Sequence, residues 1–159
     1  MNRPAQFSDF HFIYHLYMHP EINPFLLYEP MEKSAFEPIF QQLLDDKVLY
    51  VFEDNHIPIG MFKLIPLKHR TAHIAYLGGV AIDPRFAGQG FARKMFAEIL
   101  ALGRTRNLKR IELSVSVENA RAIALYEKCG FQQEGVLRQY THLQSENRYL
   151  DEALMAYLY

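Results

Sequence analysis

Two stretches near the N-terminus carry apolar residues at the spacing of an amphipathic helix. The first begins after Ser8 or Asp9, either of which can cap a helix, and Pro20 ends it. The second begins at Ser34 with Glu37 three residues on, a capping-box pattern. Their apolar positions are Phe10, Ile13, Tyr14 and Tyr17 in the first and Ile39, Phe40, Leu43 and Leu44 in the second. The pattern therefore predicts two helices at the start of the chain.

After Asp46 the hydrophobic period changes to that of β-strands. Three β-prone segments are predicted, Val48 to Phe52, Ile57 to Leu67 and about Thr71 to Ile82. Asp54-Asn55 is a turn signal, so the first two segments should form a hairpin. Gly78-Gly79 inside the third segment indicates a bulge or the close approach of another backbone.

The second half of the chain alternates between helical and strand periods. The predicted elements are a helix from about Phe91 to Arg106, a strand from Arg110 to Val117, a helix from Asn119 to Lys128, and strands from Phe131 to Tyr140 and from Arg148 to Leu158. The order along the chain is then α-α-β-β-β-α-β-α-β-β. This order predicts a mixed α/β layer in which helices pack on a sheet.

Length and composition fit one domain, residues 1–159, with a core of its own. The formal net charge of -1 argues against a nucleic-acid binder, which usually needs a basic face. A single cysteine, Cys129, excludes an internal disulfide, and no signal peptide is recognised. The aromatic run from Phe10 to Tyr17 is too short to span a bilayer. We therefore expect a cytoplasmic protein without a membrane or nucleic-acid partner.

A glycine-bearing loop, Arg85 to Gly90, joins the third strand to the following helix. Gly88 and Gly90 let backbone N–H groups turn inward, and the helix start adds the positive end of its dipole. Together they form an anion cradle suited to a pyrophosphate. The loop lacks the Gly-Lys-Ser/Thr of a Walker motif, and Arg93 stands where a dinucleotide fingerprint has its third glycine. The alternative is a tight turn that needs glycine only for its backbone angles.

Two spaced motifs resemble those of the GNAT superfamily of N-acetyltransferases. The first is Arg85-x-x-Gly88-x-Gly90, and the second is Asn119-x-x-Ala122-x-x-Leu125-Tyr126-x-x-Cys129-Gly130-Phe131. The ending, Tyr149-x-Asp151-Glu152, looks like the bacterial amino-acid and ribosomal-protein N-acetyltransferases. The resemblance implies a single GNAT-like domain with a central, mostly antiparallel sheet, a splayed parallel pair and flanking helices. It also implies that Arg3 to Ala5 is the end of a shortened first strand.

By this resemblance the chain binds acetyl-CoA as a co-substrate. Backbone groups of Val80 and Ile82 would pair with the pantetheine arm, and the amides from Arg85 to Gly90, on to Ala92, would hold the pyrophosphate. The implied cofactor-binding residues are Val80, Ala81, Ile82, Arg85, Ala87, Gly88, Gln89, Gly90, Phe91, Ala92, Asn119, Ala122 and Tyr126. Phe86-Ala87 departs from relatives that carry polar or basic residues there, which leaves Arg85 and Arg93 as the nearby charges.

Tyr126 is the implied catalytic residue, a general acid that protonates the departing thiolate, while the backbone N–H of Val80 would stabilise the oxyanion. Asn119 and Tyr126 also have purely structural interpretations. Asn119 is well placed to cap its helix, and a helical tyrosine is more often a packing residue.

No convincing general base is evident from the sequence. The strand positions that hold the base in related families are occupied here by Tyr76, Gly78 and Ser114. Glu112, His73 or a water molecule therefore stay open as alternatives. No metal site is expected, because His11 and His15 have no acidic or cysteine ligand beside them.

The predicted function is the transfer of an acetyl group from acetyl-CoA to a primary amine of a small molecule, an amino acid or similar. A protein N-terminus as acceptor and a non-catalytic acyl-CoA-binding module are the alternatives, and an acyl group longer than acetyl is also open. Phe25 to Tyr28, in the irregular segment between the first two helices, would make a wall for an apolar amine. A homodimer through the C-terminal strands is a further expectation.

Overall fold

The computed structural model describes residues 1–159 and contains four helices and seven strands. Their bounds are β1 Asn2–Pro4, α1 Phe10–Met18, α2 Lys33–Asp45, β2 Leu49–Asp54, β3 Ile57–Pro66, β4 Ile74–Ile82, α3 Phe91–Thr105, β5 Arg110–Ser116, α4 Ala120–Lys128, β6 Gln132–Leu143 and β7 Arg148–Leu158. The elements predicted from the hydrophobic period are all present, with shifted ends. None of the helices combines the length and apolarity that a membrane span requires.

The strands form one sheet in the order β1-β2-β3-β4-β5-β7-β6. Every neighbouring pair is antiparallel except β4 and β5, which run parallel. A parallel pair needs a crossover between its strands, and α3 supplies it. The expected mixed α/β fold, with a mostly antiparallel sheet and one parallel pair, is confirmed.

The parallel pair separates soon after it forms. β4 and β5 pair only from Ile74 to Tyr76 and from Arg110 to Glu112. Beyond this point β4 stays paired with β3, and β5 stays paired with β7. A gap therefore opens in the middle of the sheet, at the carboxyl ends of the two parallel strands.

The predicted bulge lies on the β4 side of this gap. Lys63 of β3 pairs with Gly78, while Met61 pairs with Ala81, so β4 has an additional residue between these two pairs. Gly79 adopts a φ of +57°, a left-handed conformation that glycine tolerates without strain. The prediction from the Gly78-Gly79 dipeptide is confirmed.

Apolar residues on the two faces of the sheet form two separate clusters. On one face, Phe62 and Leu64 pack with α3 and α4, including the fully buried Phe96. On the other face, Met61 and Val51 pack with α1 and α2. Since neighbouring residues of a strand point to opposite faces, this alternation fixes the helix pairs on opposite sides of the sheet.

The prediction for the N-terminal end of α2 needs correction. α2 begins at Lys33 with Glu32 as its N-cap, and Glu32 makes no side-chain cap hydrogen bond, so the capping box predicted at Ser34 and Glu37 is wrong. The N–H groups of Ala35 and Phe36 donate to the Glu32 carbonyl, which places Ser34 inside the first turn.

β1 is absent from the order predicted by hydrophobic period, because three residues are too few to show a period. Its pairing with Tyr50 to Phe52 of β2 agrees with the shortened first strand that the family resemblance implied. Arg3 anchors it through ion pairs with Asp9 and Glu53.

Candidate active site

The loop between β4 and α3 presents a run of free backbone N–H groups. Gly88 and Gly90 have φ values of +75° and +81°, and a Cβ on either would meet no atom within 4 Å. The first hydrogen bond of α3 runs from the Lys94 N–H to the Gly90 carbonyl. No protein group accepts from the N–H groups from Gly88 to Arg93. Together with the helix dipole, these donors make a site for an anion.

Asp83 holds the start of this loop. Its carboxylate is fully buried and accepts hydrogen bonds from the backbone N–H of Arg85 at 2.9 Å and from its guanidinium at 2.7 to 3.1 Å. Burial opposes ionisation of Asp83, but the hydrogen bonds from Arg85 outweigh it, and its pKa is lowered. The Arg85 side chain is thus engaged by Asp83 and supports the loop from outside the cavity.

A cavity of about 480 Å³ adjoins the free N–H groups. Of the residues that the sequence assigned to the cofactor, those on its wall are Val80, Ala81, Ile82, Ala87, Gly88, Gly90, Phe91, Ala92, Asn119, Ala122 and Tyr126. Arg85 and Gln89 do not line it. We call this space the donor cavity.

The donor cavity has two exposed cations on its wall. Arg93 was expected there, but Arg121 on α4 was not, because no motif marks it. Phe86, at a position where the family resemblance implied a polar or basic residue, packs edge-on against Phe91 with ring centroids 6.0 Å apart. Its ring therefore contributes to the apolar part of the wall rather than to charge.

Asn119 caps its helix, as the structural interpretation of this residue predicted. Its side-chain oxygen accepts a hydrogen bond from the Ala122 N–H at 3.2 Å, which caps α4. The same residue lines the donor cavity.

Tyr126 is a buried residue of α4 whose ring packs against Phe96 and Phe131, with ring centroids 5.2 and 6.2 Å apart. Burial raises the pKa of its phenol well above the usual value, so the group stays protonated at neutral pH. Tyr126 lines both the donor cavity and a narrow space between the splayed strands, which Gly79 and Ser114 also line. It therefore stands where the gap in the sheet meets the donor cavity.

A second cavity, of about 420 Å³, lies on the α1/α2 face of the sheet. It shares Phe25 and Leu26 with the donor cavity and Gly79 with the narrow space between the strands. Its lining residues are Pro24, Phe25, Leu26, Leu27, Lys63, Ile65, Tyr76, Gly78, Gly79, Ser114, Ser116, Tyr140, Thr141, Leu150 and Glu152. We call it the acceptor cavity. Three residues of the predicted aromatic and aliphatic wall, Phe25 to Leu27, line it.

Hydrogen bonds order the polar groups of the acceptor cavity. The Tyr76 hydroxyl lies 2.9 Å from Oγ of Ser114, across the splayed strands, and burial raises the pKa of Tyr76. The Thr141 hydroxyl donates to Glu152 at 2.8 Å. Lys63 and Glu152 are the charged residues among the lining groups.

Neither side chain considered as general base lies in the cavities. Glu112 accepts a hydrogen bond from Arg110 at 2.8 Å, and His73 is exposed before the start of β4. Sequence reasoning missed Lys63 and Glu152 as site residues. For Lys63 the available signal was an ionisable residue inside a strand that is otherwise apolar.

The remaining reactive side chains lie apart from the cavities. Cys129 is half-buried, and burial raises the pKa of its thiol. The structure contains no group of three or more His, Cys, Asp or Glu residues arranged to hold a metal ion.

Comparisons with known proteins agree with this geometry. The family model described as acetyltransferase (GNAT) family matches residues 7–131. A spermidine N(1)-acetyltransferase of Vibrio cholerae is 34% identical over 142 residues, 85% of this chain and 80% of that protein. An L-amino acid N-acetyltransferase of Escherichia coli K12 is 29% identical over 165 residues, 97% and 94% of the two chains. The crystal structure of a Vibrio cholerae spermidine N-acetyltransferase with CoA and spermine matches with a TM-score of 0.87 and 31% identity, covering 99% of this chain and 94% of that one.

Proposed function

The chain belongs to the acetyltransferase (GNAT) family and is an acetyl-CoA-dependent N-acyltransferase, and from this premise we propose that it acetylates the primary amine of a small molecule, an amino acid or similar. The observation that carries the proposal is the narrow space between the splayed strands, which shares Tyr126 with the donor cavity and Gly79 with the acceptor cavity and so connects the two. One cavity has the anion-binding backbone of a cofactor site, and the other has the size and mixed polarity of a small-ligand site.

The donor cavity fits acetyl-CoA in its charge and its backbone geometry. The N–H groups from Gly88 to Arg93 have no protein acceptor and are free to donate to an anion, which suits the pyrophosphate. Val80 lies at the bulge of β4, where its backbone would reach the pantetheine arm and the thioester. Bound there, acetyl-CoA supplies the activated acetyl group.

Tyr126 is the proposed general acid. When the amine nitrogen forms its bond to the thioester carbon and the carbon–sulfur bond breaks, the departing thiolate takes a proton from the Tyr126 hydroxyl. The raised pKa of this phenol keeps the proton available at neutral pH. The backbone N–H of Val80 would stabilise the negative charge that forms on the carbonyl oxygen.

Glu152 is the proposed acceptor for the proton that leaves the amine. It is the carboxylate on the wall of the acceptor cavity, and the Thr141 hydroxyl fixes its orientation. A proton transferred to Glu152, directly or through water, leaves the amine neutral for attack. This assignment replaces Glu112 and His73, which lie elsewhere.

A small acceptor suits the cavity better than a protein N-terminus does. Phe25, Leu26 and Leu27 cover one side of the acceptor cavity, and its volume of about 420 Å³ is in the range of single small ligands. The L-amino acid N-acetyltransferase of Escherichia coli, which aligns along nearly the whole chain, supports the same class of acceptor.

Residues 1–159 would act as one functional domain, since the two cavities draw on residues from Glu21 to Glu152.

We place the protein in the cytoplasm, where acetyl-CoA is available. A homodimer is also proposed. β6, the strand at one edge of the sheet, carries the exposed apolar side chains of Val136 and Tyr140.

The test is release of CoA from acetyl-CoA with a panel of amines, followed by mass spectrometry of the products. The panel holds L-leucine, 3-methylbutylamine, spermidine and a peptide with a free N-terminus. We expect CoA release and an N-acetylated product with at least one small amine and little with the peptide. Measurable binding of acetyl-CoA with no release for any amine would instead support a non-catalytic module.

A further inference from the structure

Lys63 lies along the floor of the acceptor cavity. It belongs to β3, pairs with Gly78, and is only 5% exposed. A Cβ on Gly79 would lie 3.3 Å from the lysine Cε and 3.5 Å from its Cγ. The lysine side chain therefore crosses the glycine pair at the bulge, and the glycines leave the space that it occupies.

No protein group pairs with the Lys63 ammonium. The ammonium makes no ion pair or hydrogen bond. It lies over the Tyr28 ring, with Nζ 5.2 Å from the ring centroid. Lysines this deeply buried are almost always paired, because an isolated buried charge is costly. Desolvation accordingly lowers the pKa of Lys63. The partner of the ammonium must therefore be water or a group bound in the cavity that the side chain lines.

The other ionisable groups near the lysine do not neutralise it. Tyr17 and Tyr28 are phenols whose pKa values are raised by burial, so they stay uncharged. Tyr76 is likewise protonated and is held by Ser114. Glu152 lines the same cavity but lies beyond ion-pair distance, and Thr141 binds its carboxylate.

We propose that Lys63 binds an anionic group of the acceptor, a carboxylate in the simplest case, and thereby selects amines that carry one. This inference rests on the proposed function and names the class of its acceptor. Lys63 on β3 and Glu152 on β7 lie on opposite sides of the splayed strands, so the cavity floor offers a cation at one end and a carboxylate at the other. A zwitterionic amino acid matches this pair, with its carboxylate at Lys63 and its amine towards Glu152.

The same arrangement disfavours a polyamine. Such a molecule carries further ammonium groups and no anion, so binding in this cavity would leave Lys63 unpaired and place a like charge near it. The selectivity of this chain would then differ from that named for its spermidine-acetylating relatives.

The experiment compares two matched acceptors, L-leucine and 3-methylbutylamine, which is leucine without its carboxylate. Both are assayed with wild type, Lys63→Met, Lys63→Gln and the control Lys68→Met, which removes an exposed lysine in the loop after β3. Each comparison is made between variants for one amine, so the different basicity of the two amines cancels. Wild type should prefer L-leucine and leave spermidine almost unreacted.

We expect Lys63→Met and Lys63→Gln to lower kcat/KM for L-leucine about 10- to 100-fold, the effect of losing a charged hydrogen bond. For 3-methylbutylamine, kcat/KM of the Lys63 variants should stay within about threefold of wild type, because this amine has no carboxylate to lose a hydrogen bond. Lys68→Met should behave as wild type with both amines. Equal losses with both amines, or no loss with L-leucine, would overturn the proposal.

A binding measurement separates this inference from the proposed function. Calorimetric titration of N-acetyl-L-leucine into the CoA-saturated protein reports carboxylate recognition without turnover. Binding that is lost in both Lys63 variants supports the lysine site even if no amine is acetylated. Turnover of 3-methylbutylamine together with binding of N-acetyl-L-leucine that does not depend on Lys63 would uphold the function and refute the site.

Discussion

The guanidinium of Arg85 donates hydrogen bonds to both carboxylate oxygens of Asp83, which lies fully buried below the loop. The same carboxylate also accepts from the Arg85 backbone N–H. Asp83 is thus a cap for the short turn that leads into the free N–H groups of the donor cavity. The family motif counts Arg85 among the cofactor residues, whereas here its side chain shapes the loop.

Asp83→Asn is expected to raise the Kd for acetyl-CoA about fivefold, since the loss of one cap is worth about 1 kcal/mol. The value of kcat at saturating acetyl-CoA should change little, because Asp83 lines neither cavity. Titration of acetyl-CoA by calorimetry measures the Kd. Asp45→Asn, on the exposed end of α2, is the matched control. An unchanged Kd in Asp83→Asn would show that the loop keeps its shape without the ion pair.

Gly90→Ala is expected to weaken acetyl-CoA binding through backbone strain. Gly90 has a φ of +81°, where a residue with a Cβ is less favourable by about 1–2 kcal/mol. We therefore expect a Kd about 5- to 30-fold higher if the loop must recover this conformation to bind the pyrophosphate. Gly135→Ala is the control, since Gly135 lies outside the left-handed region and its Cβ would also meet no atom. Equal affinities for the two variants would contradict the account.

Most of the secondary structure was predictable from local signals. Asn119 capped its helix as expected, and the Gly78-Gly79 dipeptide correctly indicated the bulge. The capping box at Ser34 was wrong because Glu32 supplies the carbonyl that starts the helix two residues earlier. A cap depends on where the preceding chain turns, and tertiary contacts fix that position.

The donor half of the site was predictable for the same reason. Most of its lining residues come from two segments, Val80 to Arg93 and Asn119 to Tyr126, and each segment carries a recognisable spacing. The acceptor half is assembled by the sheet, which brings β3 close to β7. Lys63 looked like an interruption in a strand whose residues from Ile59 to Leu64 are all buried. No local pattern shows that it and Glu152 line one cavity.

Glu152→Gln is expected to lower kcat/KM for the amine about 100-fold or more, the usual effect of removing a general base. Glutamine can still accept the hydrogen bond from Thr141, so the wall of the cavity should keep its shape. The Kd for acetyl-CoA serves as an internal control and should not change. Glu127→Gln, at an exposed position of α4, provides a second reference. Turnover at the wild-type rate in Glu152→Gln would mean that water alone takes the proton that leaves the amine.

The buried Lys63 should make thermal stability depend on pH in a definite direction. Desolvation lowers its pKa in the folded state, whereas the pKa of the lysine in the unfolded chain stays at about 10.4. Between these two values the unfolded chain binds more protons, so this lysine makes wild type more stable as pH rises. The cost in folding stability of burying the charged lysine is fully present at pH values below the lowered pKa.

Lys63→Met removes that penalty. Its melting temperature should therefore exceed that of wild type at neutral pH, and the advantage should shrink as pH approaches about 10.4. Melting curves from pH 7 to pH 10 give the comparison, with Lys68→Met as the exposed control. An advantage that grows with pH would mean that the lysine is stabilised as a cation in the folded protein.

Tyr126→Phe tests the central claim that Tyr126, where the donor cavity adjoins the narrow space between the splayed strands, completes acetyl transfer. Phenylalanine keeps the packing against Phe96 and Phe131, so the Kd for acetyl-CoA and the melting temperature should match wild type. Loss of the phenolic proton should lower kcat for CoA release about 100- to 1,000-fold. Tyr149→Phe, at an exposed tyrosine, should leave kcat unchanged. The decisive measurement is kcat and the Kd for acetyl-CoA of Tyr126→Phe beside those of wild type. A low kcat with an unchanged Kd supports the account, and a wild-type kcat would contradict it.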